Sequence, residues 1–558
     1  MKRIVSFILI AIMTFTLVAC GRQEEPAAGD TAQPVDTAAA EGDKDTAAST
    51  PTGAEADTAK AAVAEHVNLA LSSDPGSLAP WEPSSDGRKM YAEIYETLFN
   101  YTSFGGDFVG IIGKSYEQLD DFTYRVYLYD YVKDSDGSAI TSADVVWSYE
   151  QCIAGGGYNN RVKDILDVEA VDDYTLDFTY AQVLDYASFC ESMMIYIVDK
   201  ETFESIGEEK YALHPVATGP YLVDDYTTGS FYNLTKNENY WQTEDKRSVI
   251  QQQNCNSITY KVINETAQLA IALETGEVDM VAGIDSDNIG YFYDTSSQAA
   301  LDGWFVQSEL SVPCYSLVLN CSDKSVLKDQ NLRLAILYAI DNEALLATAV
   351  NGEGKVEYTD GGQQYSGFQQ AMADAAAENC YSCDLSKSAE YLKAAGYESG
   401  ELKISLMCAN FTQNVAVILQ SQLLAAGINA EIKAYEPALY ETYCTQDDQW
   451  DMVLAFKGKS SGLLTDYWAH FLATNSYGQA NMINDEKLAS LYANSLSQDA
   501  TDEDILACHN YFTEMGYFYG LFNNQEYIVG KAGVTNFVTS GQYGIIPGAC
   551  SYSSEFNQ

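Results

Sequence analysis

Hydrophobic and polar residues change their spacing several times along this chain, and each change marks an element. Val67-Asn68-Leu69-Ala70-Leu71 alternates as a half-buried strand does and runs into the turn Ser73-Asp74-Pro75-Gly76. Tyr91 to Phe99 predicts a short helix, and Thr123 to Tyr131 a half-exposed strand. The turn Asp134-Ser135-Asp136-Gly137 leads to Thr141-Ser142-Ala143-Asp144, a capping pattern that opens a helix. Asp134-x-Asp136-Gly137 is a turn and not a calcium loop, since the glycine comes too early and no glutamate closes it. Further on, Leu332 to Ile340 reads as an apolar helix, and Asp384 caps another that stops before Gly396. Leu402–Leu406, Ile428–Ala434 and Trp450–Phe456 read as strands. Between them lie a helix from Asn414 to Ala426, ended by Gly427, and one begun by Pro437. Strand and helix in alternation predict a parallel sheet wrapped by helices. The first half has more strands and fewer helices, so two unlike lobes are expected.

The start of the chain follows neither period. Lys2 and Arg3 precede an apolar run, Ile4 to Ala19, that is short for a membrane span and reads as a secretory signal. Leu17-Val18-Ala19-Cys20-Gly21 resembles the bacterial lipobox, which implies lipidation of Cys20 and a mature chain that begins there. Arg22 to Ala64 is a low-complexity run of Ala, Thr, Asp, Glu, Gly and Pro without an aromatic residue. Such a segment cannot bury enough apolar surface to order itself and is expected to be a flexible tether, with a reach on the order of 35 Å.

Composition narrows the classes. The 558 residues, 47% hydrophobic, suffice for two or three cored domains. A formal net charge of −50 sets phosphate backbones aside as partners, so nucleic acid is not expected. Of twelve cysteines, eleven remain once Cys20 is lipidated. Their scattered spacing points to thiols kept in a reducing or oxygen-poor setting, and Cys380-x-x-Cys383 is a local disulfide or a pair of thiols before it is a zinc site.

Six segments, in order, resemble the extracellular solute-binding proteins of ABC transporters, specifically the oligopeptide- and dipeptide-binding class (family 5). They are Ser73–Pro80, Ile94–Phe99, Asp136 to Val146, Thr218–Tyr221 with Asn239-Tyr240-Trp241, Leu273–Met280, and Arg333–Ile336 with Ala339-Ile340-Asp341. The residues have structural work as well. Gly219-Pro220 redirects the chain into a strand, Asp144 meets a helix dipole, and Arg333 is expected to pair with an acidic neighbour. The resemblance implies an α/β fold of the type II periplasmic-binding-protein (Venus-flytrap) kind: two lobes, an extra subdomain in the first at about 100–200, and a hinge of two crossings. It implies lobe I at 66–310 completed by 518–558, lobe II at 311–517, a signal peptide at 1–19 and a lipidated tether at 20–65. It also implies no catalytic step and no cofactor. The expected partners are a peptide, the permease and ATPases of an importer, and the membrane through the lipid anchor, the receptor itself being a monomer on the extracellular or periplasmic face.

By order along the chain, the ligand cleft is expected to draw on Ser84, Ser85 and Asp86, on the segment Pro313-Cys314-Tyr315, and on the loop after Phe456. In peptide-binding relatives that last loop carries an aspartate for the ligand's amino terminus. Here it is longer, with Ser460 near the expected place and Asp466 as a substitute. Among the 41 tyrosines and six tryptophans, Trp81, Tyr315 and Trp468 adjoin these loops. Three alternatives stand beside a peptide. An oligosaccharide would need no charged anchor. A nickel or haem complex is disfavoured by four unpaired histidines, so no metal ligands are assigned. A serine hydrolase would use Ser460 in Gly458-Lys459-Ser460-Ser461-Gly462 with His470 or His509.

Overall fold

The computed structural model describes residues 61–558 apart from 82–84, 156–158, 358, 380–381, 460, 473–482, 498–499 and 541–543. The signal segment, Cys20, Ser84, Cys380 and Ser460 therefore lie outside the described residues, as does the tether as far as residue 60. The expected tether is shorter than its composition suggests. Ala61–Ala62 already pairs with Tyr552 and Ser553, and Ala64 is buried, its backbone bridged to Cys255.

The first lobe opens with β1 (Val67–Leu71), whose alternating burial fits the sequence pattern. Helix α1 (Ser85–Ile94) begins earlier and ends sooner than its apolar pattern predicts. Its first turn is polar and invisible to periodicity, while Phe99–Tyr101 is strand. Strands β2 (Gly113–Asp120), β3 (Thr123–Leu128), β4 (Ile165–Asp172) and β5 (Thr175–Tyr180) make an antiparallel sheet of order β2-β3-β5-β4, the inserted subdomain. β3 stops three residues short of Tyr131, where the chain enters a turn. Between β3 and β4 runs α2 (Ser142–Gly155), capped as expected by Thr141, whose N–H and hydroxyl both donate to Asp144. Strands β6 (Tyr221–Thr227), β7 (Phe231–Lys236) and β8 (Ser257–Val262) complete the order β1-β8-β7-β6, with β8 parallel to β1. One core joins this sheet to the subdomain: Leu69, Tyr91 and Ile94 share it with Val126, Leu176 and Phe178.

A large mixed sheet carries the chain between lobes. Strands β9 (Met280–Ile284) and β10 (Trp304–Leu310) lie on the first-lobe side, and β11 (Cys314–Leu319) follows after three residues on the other. In the second lobe, α3 (Gln330–Leu337), α4 (Asn342–Ala349), β12 (Gly354–Val356) and α5 (Leu385–Ala394) precede the expected alternation. That alternation is β13 (Lys403–Ala409), α6 (Gln413–Ala425), β14 (Asn429–Tyr435), α7 (Pro437–Cys444), β15 (Met452–Lys457) and α8 (Leu464–Leu472). β13 is parallel to β14 and β15, whereas β11 runs antiparallel to β15, so the sheet is mixed. Apolar cores fill both faces, Leu317, Leu406 and Leu454 on one, Val318, Val453 and Phe512 on the other. Strand β16 (Phe518–Lys531) then passes back: its first half pairs with β11 and β12, its second with β9 and β10. Asp384 caps α5 through the amides of Ser386 and Lys387, and Gly427 ends α6 at φ +80°. Arg333 departs from expectation. Its guanidinium donates to the carbonyls of Leu327, Lys328 and Met515 and lies over the Tyr517 ring, with no carboxylate paired to it among the described residues.

Candidate ligand cleft at the hinge

The two crossings are tied to each other. Asn523, fully buried on β16, donates through Nδ2 to the carbonyls of Ser311 (2.8 Å) and Pro313 (3.0 Å) and reaches the Cys314 sulfur at 3.1 Å. Ser311 donates its amide to the Asn524 carbonyl and its hydroxyl to Asn524 Oδ1. Gln364 Nε2 donates to the Ser311 carbonyl at 2.8 Å, and the Tyr365 hydroxyl to that of Val312 at 3.0 Å. Side-chain amides thus replace the sheet ladder where the strands bend between lobes.

On the second-lobe side an aromatic row leads away from the hinge. Phe522 and Phe456 flank half-buried Tyr315 with ring centroids 4.5 Å away on each side, and exposed Phe411 lies 6.2 Å beyond Phe456. Beside the row, Glu309 and Glu526 stand directly opposite each other on β10 and β16. Burial and the facing Glu309 push the Glu526 carboxyl up to about 6, and Tyr315 feels the charge of Glu526. Like charges in register are unfavourable unless something cationic relieves them.

The loop after β15 faces the first lobe. A Cβ on Gly462, at φ +65°, would sit 2.6 Å from the Gly105 Cα, so the two loops meet backbone to backbone. Phe104 packs on Tyr365 at 5.2 Å across the same junction. Asp466, in the first turn of α8, is buried. Lys459 Nζ is 3.3 Å from one carboxylate oxygen, and the Ser461 hydroxyl donates to the other. Burial raises its carboxyl, Lys459 opposes this, and Glu191 and Asp185 of the first lobe add to it. Glu191 is held by Arg161 at 3.1 Å. Tyr101 lies against Cys190 nearby and also feels Glu191 and Asp466.

The expected site residues therefore divide. Tyr315 and Asp466 stand at the junction of the lobes. Ser85 and Asp86 fall in the first turn of α1. Trp468 is buried, its indole N–H donating to the Asp360 carbonyl at 2.7 Å and its ring against Phe512, and Trp81 is buried between Trp147 and Phe203. His470 is engaged by the Gly458 carbonyl and His509 by Asn510. Sequence reasoning missed Tyr101, Glu191, Tyr365, Glu309 and Glu526. Their only linear signal was the amide-rich break Asn523-Asn524-Gln525 within a strand. Among the described residues no group of three or more His, Cys, Asp or Glu could hold a metal ion, and no helix is long and apolar enough to cross a membrane.

Residues 107–479 match the family model for bacterial extracellular solute-binding proteins, family 5 Middle. The chain belongs to this family. Family 5 proteins are the solute-binding components of ABC importers and catalyse no reaction, which removes the hydrolase alternative. The glutathione-binding protein GsiB of Escherichia coli O1:K1 is 25% identical over 385 residues, 67% of this chain and 70% of that protein. Among solved structures, DppA of Helicobacter pylori in complex with the peptide STSA superposes with a TM-score of 0.71 at 18% identity, covering 88% of this chain and 98% of that one. AgaA from A. tumefacien R10 with agropinic acid gives 0.70 at 21%, covering 88% and 99%. The two-lobed α/β fold is that of these proteins.

Proposed function

We propose that this family 5 receptor captures peptides carrying a free amino terminus or a basic side chain and delivers them to a permease. In this reading it is a monomer held on the outer face of the membrane by acyl chains on Cys20. Lobe I is 66–310 with 518–558 and lobe II is 311–517. The walls draw on Ser84, Ser85 and Asp86, on Tyr315 and on the loop with Ser460 and Asp466, while Trp468 positions that loop through Asp360. The observation that carries the reading is the acidic junction: Asp466 from one lobe faces Asp185 and Glu191 from the other. Lys459, the cation beside Asp466, comes from its own loop and stands where a ligand ammonium would be exchanged for it. The related GsiB, a glutathione-binding protein, and DppA, solved with a peptide, are consistent with a peptide-like solute. Closure follows from a ligand's greater affinity for the joined lobes.

Thermal-shift screening of the mature receptor against tripeptides, their N-acetylated forms, oligosaccharides and metal chelates tests the ligand. Free peptides are expected to raise Tm, and Asp466→Asn to weaken them about tenfold, roughly 1.4 kcal/mol. Stabilisation by oligosaccharides alone would favour the aromatic row as a sugar platform and end the peptide reading. Loss of membrane retention in Cys20→Ser tests the anchor.

A further inference from the structure

The loop that follows β12 contains two carboxyl groups that no feature of ligand binding uses. Glu357, Thr359 and Asp360 are each fully buried. Among the described residues neither oxygen of Glu357 closes a hydrogen bond in good geometry, although the Gln363 amide is near enough to oppose the rise of its carboxyl, and Asp360 Oδ2 has no partner. Gln364 Oε1 and Asn523 Oδ1 close by are likewise acceptors without donors. All of these are oxygen acceptors, and the Thr359 hydroxyl beside them has no partner among the described residues either, so it donates to none of them. The missing counterpart is therefore a donor, and a proton on each carboxyl supplies it locally.

The one cation among the described residues that favours the ionised form is exposed Lys355, and burial outweighs it at Glu357. Around Glu357 stand Lys355 on its own strand, exposed, then Cys314 on β11, Asp360 and Tyr365. Around Asp360 stand Ser316, whose hydroxyl donates to Oδ1, and Tyr467 and Trp468 of α8, with the Cys314 thiol on the same strand as Ser316. Burial pushes Glu357 up to about 8 and Asp360 to about 7.

The position of the loop gives these protons a mechanical meaning. The Glu357 amide donates to the Leu521 carbonyl on β16, Gln364 and Tyr365 hold the carbonyls of Ser311 and Val312, and the Tyr365 ring meets Phe104 of the first lobe. One loop thus grips both hinge crossings and the opposite lobe. We propose that the protons on Glu357 and Asp360 act as a closure switch: with both carboxyls neutral the loop packs and the lobes stay joined, and loss of either proton loosens the loop and opens them. A buried carboxylate without a donor or cation has to reach water, and opening is the route that frees Tyr365 from Phe104. The inference rests on the reading above that the lobes move.

The test uses the full chain with a donor and acceptor fluorophore carried by unnatural amino acids at exposed Leu166 and Leu424. Lobe separation is followed from mildly acid pH to about pH 9, without ligand and with a mixture of unmodified tripeptides. Infrared difference spectra of the carboxylic C=O stretch are recorded in parallel. The open fraction is expected to rise several-fold with pH in the wild type, to rise still in Glu357→Gln and in Asp360→Asn through the acid that each retains, and to stay low in the double variant, which keeps the shape of both groups without an ionisable one. The protonated-carboxyl band should lose intensity in each single variant and more in the double variant, the remainder belonging to other buried acids such as Glu93 and Glu96. A pH-independent separation that still responds to peptides would overturn the switch and leave the receptor reading intact. A separation that never changes would overturn both. Should a variant not fold, the wild-type titrations decide, since a protonated-carboxyl band that does not change over the pH range in which the lobes separate ends the proposal.

Discussion

At the scale of single residues, the hinge depends on groups whose replacement leaves something buried without a partner. Asn523→Leu keeps the volume but strips donors from the carbonyls of Ser311 and Pro313, and a cost of about 1–3 kcal/mol in stability is expected from chemical denaturation. Gly462 works differently. At φ +65° and pressed against Gly105, it pays no penalty where any side chain would both strain the backbone and hold the loops apart. Gly462→Ala should therefore weaken ligand binding at least tenfold in calorimetry. Its Tm should fall little, because the loop can relax once the lobes separate. An unchanged affinity would mean that these loops do not meet in the bound state.

At the scale of elements, local rules account for much of the second lobe and less of the first. The strands and helices between Asp384 and Phe456 match their patterns to within a few residues, helped by capping or breaking residues at their ends: Asp384, Gly427, Pro437. The apolar pattern places helix α1 too late because its first turn is polar, and β16 is not legible because Gly520 and the polar run Asn523–Glu526 interrupt its apolar period. Those polar residues face the hinge and not a core, so a site and a pattern break coincide. Arg333 illustrates the same limit. Sequence alone suggests a salt bridge, yet three carbonyls at the ends of other elements use its planar fork. Arg333→Lys keeps the charge and loses the geometry, so it should lower stability by about 1–3 kcal/mol, whereas removing nearby acids should do little. The cleft residues Tyr101, Glu191 and Glu309 come from segments far apart in sequence, and a linear reading has no means of bringing them together.

At the scale of the whole molecule, pH acts on a set of buried acids spread over both lobes. Burial raises Glu93 to about 8 and Glu357 to about 8, with Glu96 and Asp360 at about 7. Glu96 retains this shift although Tyr240, Trp241 and Gln251 all donate to it, so desolvation wins over three hydrogen bonds. In the unfolded chain these groups release their protons near the ordinary carboxyl values, about 4. Between there and 7–8 the native state therefore binds more protons than the unfolded one, and stability falls as pH rises, by up to about 1.4 kcal/mol per pH unit for each group. Below about pH 4 the sign reverses for Asp485, whose carboxyl is lowered: burial opposes the shift, but hydrogen bonds from Tyr517, the Leu488 amide and Tyr511 outweigh it. Melting curves are thus expected to peak on the acid side of neutrality and to decline towards pH 8. A net charge of −50 adds self-repulsion over the same range, which added salt screens. The two causes separate in one experiment. Glu93→Gln should raise Tm at pH 8 and leave it unchanged near pH 4 at any ionic strength, because it removes desolvation and not surface charge. If high salt alone abolished the alkaline decline, repulsion would be its source, and the buried acids would have to be ionised in the native protein.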